Sequence, residues 1–142
     1  MQYKISFWNY YQFDQLDTDT ALNDWKDMGI STPMTFHYNP ENDKPEKMLA
    51  LLDGCVERGM KAIVCDLRTR FSTYMKVGKE AFIEGVKAAV KDFGSHPANF
   101  GFYMGDEPLH KDIESAIEAC KIVNEYAPNL TNFINLFPYW ED

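Results

Sequence analysis

Hydrophobic and polar positions change their period several times along the chain, and the changes mark out its elements. Aromatic and β-branched residues crowd Tyr3 to Tyr11, which predicts a strand. Thr18 or Asp19 then caps a helix running to Met28 and stopped by Gly29. Ile30 to Tyr38 predicts a second strand, weakened by Pro33, which has no N–H to give a ladder. Pro45 opens a helix whose Met48, Leu51, Leu52, Cys55 and Val56 follow the i, i+3, i+4, i+7, i+8 stripe, and Gly59 ends it. Lys61 to Leu67 reads as a short apolar strand. A helix from about Lys79 to Phe93 places Phe82, Val86, Ala89, Val90 and Phe93 on one face, with Gly94 closing it. Asn99 to Gly105 is a fourth strand. Asp112 begins a helix carrying Ile113, Ala116, Ile117, Cys120 and Val123 that ends before Pro128, and Thr131 to Phe137 is a fifth strand.

Strands that alternate with helices of this length imply βαβ units and a parallel sheet, so the fold class is α/β. The expected strand ends near Asn9, Tyr38, Asp66, Asp106 and Asn135 are separated by 29, 28, 40 and 29 residues. That step suits a (β/α) barrel at least as well as a doubly wound sheet. No GxGxxG or GxxxxGK[ST] follows a strand, which removes the usual support for a nucleotide-binding sheet. A full eight-stranded barrel takes about 250 residues, whereas 142 residues reach only a fifth strand. Residues 1–142 are therefore expected to form a single parallel (β/α) domain, a partial TIM barrel of about five strands and four helices. Such a domain needs completion, either by the missing C-terminal half of the barrel or by a second copy in a homodimer.

Composition narrows the partners. There are 14 Lys+Arg against 22 Asp+Glu, a net charge of −8 and a pI near 4.8. That balance argues against nucleic acid or an anionic membrane as the main partner. No apolar run approaches the ~18 residues that cross a bilayer. The start, Met1 followed by Tyr3 to Trp8, lacks the basic residues, apolar run and cleavage site of a signal peptide, and location is left open. Cys55, Cys65 and Cys120 have no metal-type spacing, and two lie on apolar helix stripes and one inside a strand, so they read as small buried hydrophobes.

In parallel α/β architectures ligands bind at the carboxyl ends of the strands. Those positions carry Trp8, Asn9, Tyr10, His37, Tyr38, Asp66, Arg68, Arg70, Asp106, Glu107, Asn135 and, after the fifth strand, Tyr139 and Trp140. Aromatic faces stack on sugar C–H groups, and carboxylates and amides bond hydroxyls, so the set suits a carbohydrate among other polar ligands. In Gly105-Asp106-Glu107-Pro108, Pro108 is expected to hold Glu107 extended and present its carboxylate at the rim. Near rings such as Tyr103 and Trp8 that group could serve as a general acid. The plainer alternative is that Asp106 or Asp112 caps the next helix and Glu107 complements its dipole. Arg68 and Arg70 flank Thr69 and could clamp an anionic sugar, though pairing with surface acids is the plainer reading. His37, Asp66 and Glu107 lack HxH or HExxH spacing, and neither a metal nor an organic cofactor is expected.

The residues Phe7-Trp8-Asn9, Cys65-Asp66-Leu67-Arg68, the run G-F-Y-M-G-D-E-P from Gly101 to Pro108, and Asn132 to Pro138 together resemble the amino-terminal part of a glycoside hydrolase-type TIM barrel. The clan concerned closes its fourth strand with an acid/base glutamate. The resemblance covers the whole chain, is most distinctive on the fourth and fifth strands, and extends to barrels of carbohydrate-degrading bacteria. It implies Glu107 as general acid/base, an oligosaccharide or glycoside substrate, and polysaccharide breakdown outside the cytoplasm. Two departures stand out. Asp106 occupies the place where the clan usually has Asn, and the clan's nucleophile belongs to a seventh strand. Retaining hydrolysis needs two carboxyl groups ~5–5.5 Å apart, so the sequence holds half of a catalytic pair. Three functions follow as alternatives: a glycosidase domain, a non-catalytic carbohydrate-binding module, or a dimerising half-barrel.

Overall fold

The structure, a computed structural model, describes residues 3–136. Helix α1 (Thr18–Asp27) starts where the Asp17 carboxylate accepts from the Thr20 N–H at 2.9 Å, and it buries Ala21, Leu22 and Trp25. Met28, just past the helix end, is exposed. Helix α2 (Pro45–Glu57) has Pro45 in its first turn and buries Met48, Leu51, Leu52 and Cys55 of the expected stripe, whereas Val56 is exposed. Strand β1 (Ala62–Val64) follows, then a 3-10 turn over Leu67–Thr69. Helix α3 (Phe71–Val77) is a short element without a strong apolar period, which is why the hydrophobic pattern leaves it as a loop. Helix α4 (Lys79–Ala89) passes into a π turn at Val90–Gly94. Strand β2 (Asn99–Asp106), helix α5 (Ile113–Tyr126) and strand β3 (Thr131–Asn135) complete the described chain.

Strands β1, β2 and β3 pair in that order, all parallel. The two earlier strand candidates lie beside them as extended segments. Parallel bridges join Gln12 to His37, Met34 to Ile63 and Tyr38 to Asp66. The five segments thus sit side by side in chain order without a reversal, the winding of a barrel and not of a doubly wound sheet.

The first two segments differ from the expected regular strands for a local reason. Pro33 offers only its carbonyl, which accepts from Ile63 N–H at 2.9 Å. Side chains then replace backbone partners: Thr35 Oγ1 accepts from Cys65 N–H at 2.9 Å, and Asn9 Nδ2 donates to the Met34 carbonyl at 3.1 Å.

Two apolar layers flank the sheet. The larger joins Phe36, Tyr38, Val64, Phe102 and Met104 to the buried faces of the helices. The smaller, on the other face, contains Met34, Ile63, Cys65 and Tyr103, with Trp8, Phe100 and Phe133 packed against them. Alternation of side chains along parallel strands produces both layers.

Helix α5 departs from its expected stripe. Ala116, Ala119, Ile122 and Val123 are buried, whereas Ile117 is 49% exposed. Ile113, Ile117 and Cys120 instead line an open groove of about 460 Å³ with Pro108, Ile134 and Leu136.

Candidate active site at the strand ends

The end of β2 is shaped by backbone constraint. Its register against β3 shifts between Tyr103 and Gly105, a bulge at Met104. Gly105 has φ +136°, and a Cβ there would stand 2.4 Å from the Phe71 ring, so only glycine fits. Glu107 has φ +42°, the one non-glycine residue with positive φ among the described residues. This corrects the expectation that Pro108 would hold Glu107 extended. The Glu107 N–H donates to the Asn135 carbonyl at 2.9 Å, which extends the β2–β3 ladder one residue past the strand and fixes the turn. A glutamate in the left-handed region costs of order 1–3 kcal/mol, and such residues cluster at functional sites. The Glu107 side chain is exposed and makes no hydrogen bond to a described residue.

Beside it, Asn135 Nδ2 donates to Asp106 Oδ1 at 2.8 Å. The same amide–carboxylate contact orients both side chains at the rim. Sequence reading placed Asp106, Glu107 and Asn135 together, and the parallel register of β2 with β3 does so.

A second group lies over the small apolar layer. The Tyr103 ring meets Trp8 edge-on at 5.7 Å and His37 at 6.1 Å, and Trp8 also contacts Phe133 at 5.9 Å. The guanidinium of Arg70 stands over the Tyr103 ring at 5.3 Å. Its Nη2 donates to His37 Nδ1 at 2.7 Å, while His37 Nε2 donates to the Asn9 carbonyl at 2.8 Å. Burial, with the Arg70 charge adding to it, pushes the imidazole down to about 4, so His37 is neutral near pH 7. Burial pushes the Tyr103 hydroxyl up to about 12, opposed by Arg70 and reinforced by Asp106. Arg70, which the sequence leaves between a clamp for an anionic sugar and a partner of surface acids, and Tyr103, read there as a ring near the rim carboxylate, meet in this group. Arg70 was visible as a basic residue after the third strand, but its pairing with His37, 33 residues away, has no sequence signal.

The remaining candidates are placed elsewhere or are engaged. Asn9 is 2% exposed, and both ends of its amide are engaged: Nδ2 donates to the Met34 carbonyl and Oδ1 accepts from Tyr11 N–H at 3.0 Å. Tyr38 is buried on the helix side, edge-on to Phe93 at 5.2 Å. Asp66 is fully buried and accepts from Arg68 Nη2 at 2.7 Å, while Arg68 Nη1 donates to Asp92 at 2.8 Å. Burial pushes the Asp66 carboxyl up, against the hydrogen bonds and charge of Arg68. Tyr139 lies outside the described residues. No group of three or more metal-ligating side chains occurs among the described residues. A pocket of about 410 Å³ opens beside Trp8, lined also by Phe7, Asn9, Tyr10, Tyr11 and Gln15.

Comparison with solved structures matches the fold. A β-1,4-D-mannanase from Cryptopygus antarcticus superposes with TM-score 0.62 at 10% identity, over 84% of this chain and 49% of that one. The structures of two plant β-glucan endohydrolases match with TM-score 0.57 at 15% identity, over 94% of this chain and 40% of theirs. The chain has the fold of a partial TIM barrel. The partial barrel spans less than half the length of either match. No family model and no curated protein matches the sequence. Of the five segments described, β2 is the fourth and β3 the fifth, so Glu107 ends the fourth of them.

Proposed function

We propose that this partial barrel acts on or binds carbohydrate at its strand ends, with Glu107 as the general acid/base of a glycoside hydrolase site. The observation that carries the proposal is the conformation of Glu107. The chain accepts a left-handed glutamate, after a glycine that Phe71 makes obligatory, and so ends the fourth segment with an exposed carboxylate at the rim. Trp8 and Phe133, part-exposed beside the buried Tyr103, supply ring faces for a sugar, and Asp106 and Asn135 supply hydroxyl-binding groups. The matched proteins are a mannanase and β-glucan endohydrolases, which supports a polysaccharide-derived substrate.

Hydrolysis also needs a second carboxylate across the bond. Asp66 is committed to Arg68, and Asp106 neighbours Glu107 on the same strand end. In this reading a segment or copy beyond the described residues supplies the nucleophile. The test is turnover of aryl β-mannosides and β-glucosides by the full chain and by Glu107→Gln. Turnover lost in the variant supports the acid/base role, and turnover retained in it removes that role.

The open groove along α5 favours a second reading. Ile117 and Leu136, 49% and 58% exposed, border an apolar surface beside β3. A half-barrel that dimerises, or that docks a completing half there, would cover it. Light scattering decides between them: a dimer that Ile117→Lys dissociates supports self-completion, and a monomer excludes it.

A further inference from the structure

The two arginines after β1 have opposite fates. Arg68 is neutralised by Asp66 and Asp92. Arg70 has no carboxylate within ion-pair distance among the described residues, in a chain with 22 acidic residues. Its Nη2 is bonded to His37 Nδ1. Because His37 must use its Nε2–H on the Asn9 carbonyl, Nδ1 is a lone pair, and the ring accepts a hydrogen bond without cancelling the charge. The Arg70 Nε is buried without a partner, and Nη1 makes no hydrogen bond to a described residue. The guanidinium is therefore oriented by His37 and by the Tyr103 face and has no acidic partner among the described residues. It stands beside the Trp8–Tyr103–Phe133 rings.

An arginine with only a structural task is normally neutralised, because a partly desolvated and unpaired charge is costly. The Nη1 end of this guanidinium, which makes no hydrogen bond to a described residue, matches an oxyanion. In a chain of net charge −8, such a local cation is also what an anionic ligand requires to approach. We infer that Arg70, positioned by His37 and Tyr103, receives an anionic substituent of the bound sugar, a carboxylate or a sulfate ester. This inference rests on the carbohydrate reading and specifies its substrate class.

The test is NMR titration of the full chain at pH 7 with paired sugars. One pair is trigalacturonate and its methyl ester, the other galactose 6-sulfate and galactose; neutral manno- and β-gluco-oligosaccharides complete the panel. In at least one pair the charged member should bind about tenfold to a hundredfold more tightly than its neutral counterpart. The preferred pair identifies the anion. Arg70→Gln should abolish that preference and Arg70→Lys keep part of it, with the ¹⁵N resonance of the Arg70 guanidinium shifting in the wild type. Neutral sugars bound as tightly as charged ones would overturn the anion site and leave the carbohydrate reading standing. A charge preference that survives in folded Arg70→Gln would overturn it as well. Absence of binding across the whole panel would remove the carbohydrate reading and the anion site together.

Discussion

Glu107 and Asn135 are joined through the backbone: the Glu107 N–H donates to the Asn135 carbonyl at 2.9 Å, across the ends of β2 and β3. The Asn135 amide returns the contact to Asp106 at 2.8 Å. The pair turns a sheet register into a site, because the hydrogen bond that ends the ladder also fixes a glutamate at φ +42°.

The strain at Glu107 separates stability from function. Glu107→Gly should raise the unfolding free energy by about 1 kcal/mol, since glycine takes positive φ without a Cβ clash. The same variant should lose sugar turnover. Urea denaturation beside an aryl glycoside assay checks both, and a destabilised variant would argue against strain at this position.

Gly105 should tolerate no side chain. A Cβ there meets the Phe71 ring at 2.4 Å in a backbone conformation that L residues rarely adopt. Gly105→Ala is expected to cost on the order of 2–4 kcal/mol through displacement of Phe71 and forced φ. Chemical denaturation measures it, and Gly29→Ala, where no atom lies within 4 Å of the added Cβ, separates the two causes by reporting forced φ alone.

Asp66 and Arg68 should behave as a structural pair. Removing the carboxylate with Asp66→Ala leaves Arg68 half-buried with only Asp92, and an expected loss of about 3–5 kcal/mol follows. Sugar binding by the folded fraction should be unchanged. A variant that folds normally but no longer binds sugar would instead place Asp66 in the site.

His37 makes stability depend on pH in a defined window. Its folded value of about 4 lies below the ordinary 6.5, so between these the unfolded chain binds more protons and acid favours unfolding. The contribution is fully present above pH 6.5 and lost as pH falls toward 4. Because the ring is partly open to solvent, the loss should be on the order of 1–2 kcal/mol, less than the whole shift implies. Urea titrations at pH 4.5 and 7 should show it in the wild type and not in His37→Gln.

Much of this molecule is legible in its sequence because its signals are local. Pro45, Gly59 and the Met48–Cys55 stripe delimit α2, and the recurrent strand–helix step gives the parallel winding. Glu107 is found at a strand end by the same reasoning. Long-range pairings are not legible in that way. The tie of His37 to Arg70 depends on two segments meeting at the sheet. The φ of Glu107 runs against the local preference that Pro108 imposes, because the hydrogen bond to Asn135 outweighs it. Tyr38, Asp66 and Arg68 stand at strand ends in the sequence, but the helix-side core and an ion pair engage them. Periodicity also cannot say which of two apolar faces of α5 is covered, and the structure covers the alanine side.

The most direct test of the central claim is a ¹H–¹⁵N titration of the full chain with manno-, β-gluco- and uronate oligosaccharides. The account predicts saturable shifts centred on Trp8, Tyr103, Glu107 and Asn135. Shifts confined to the Ile113–Cys120 face of α5, or none with any sugar, would contradict a carbohydrate site at the strand ends.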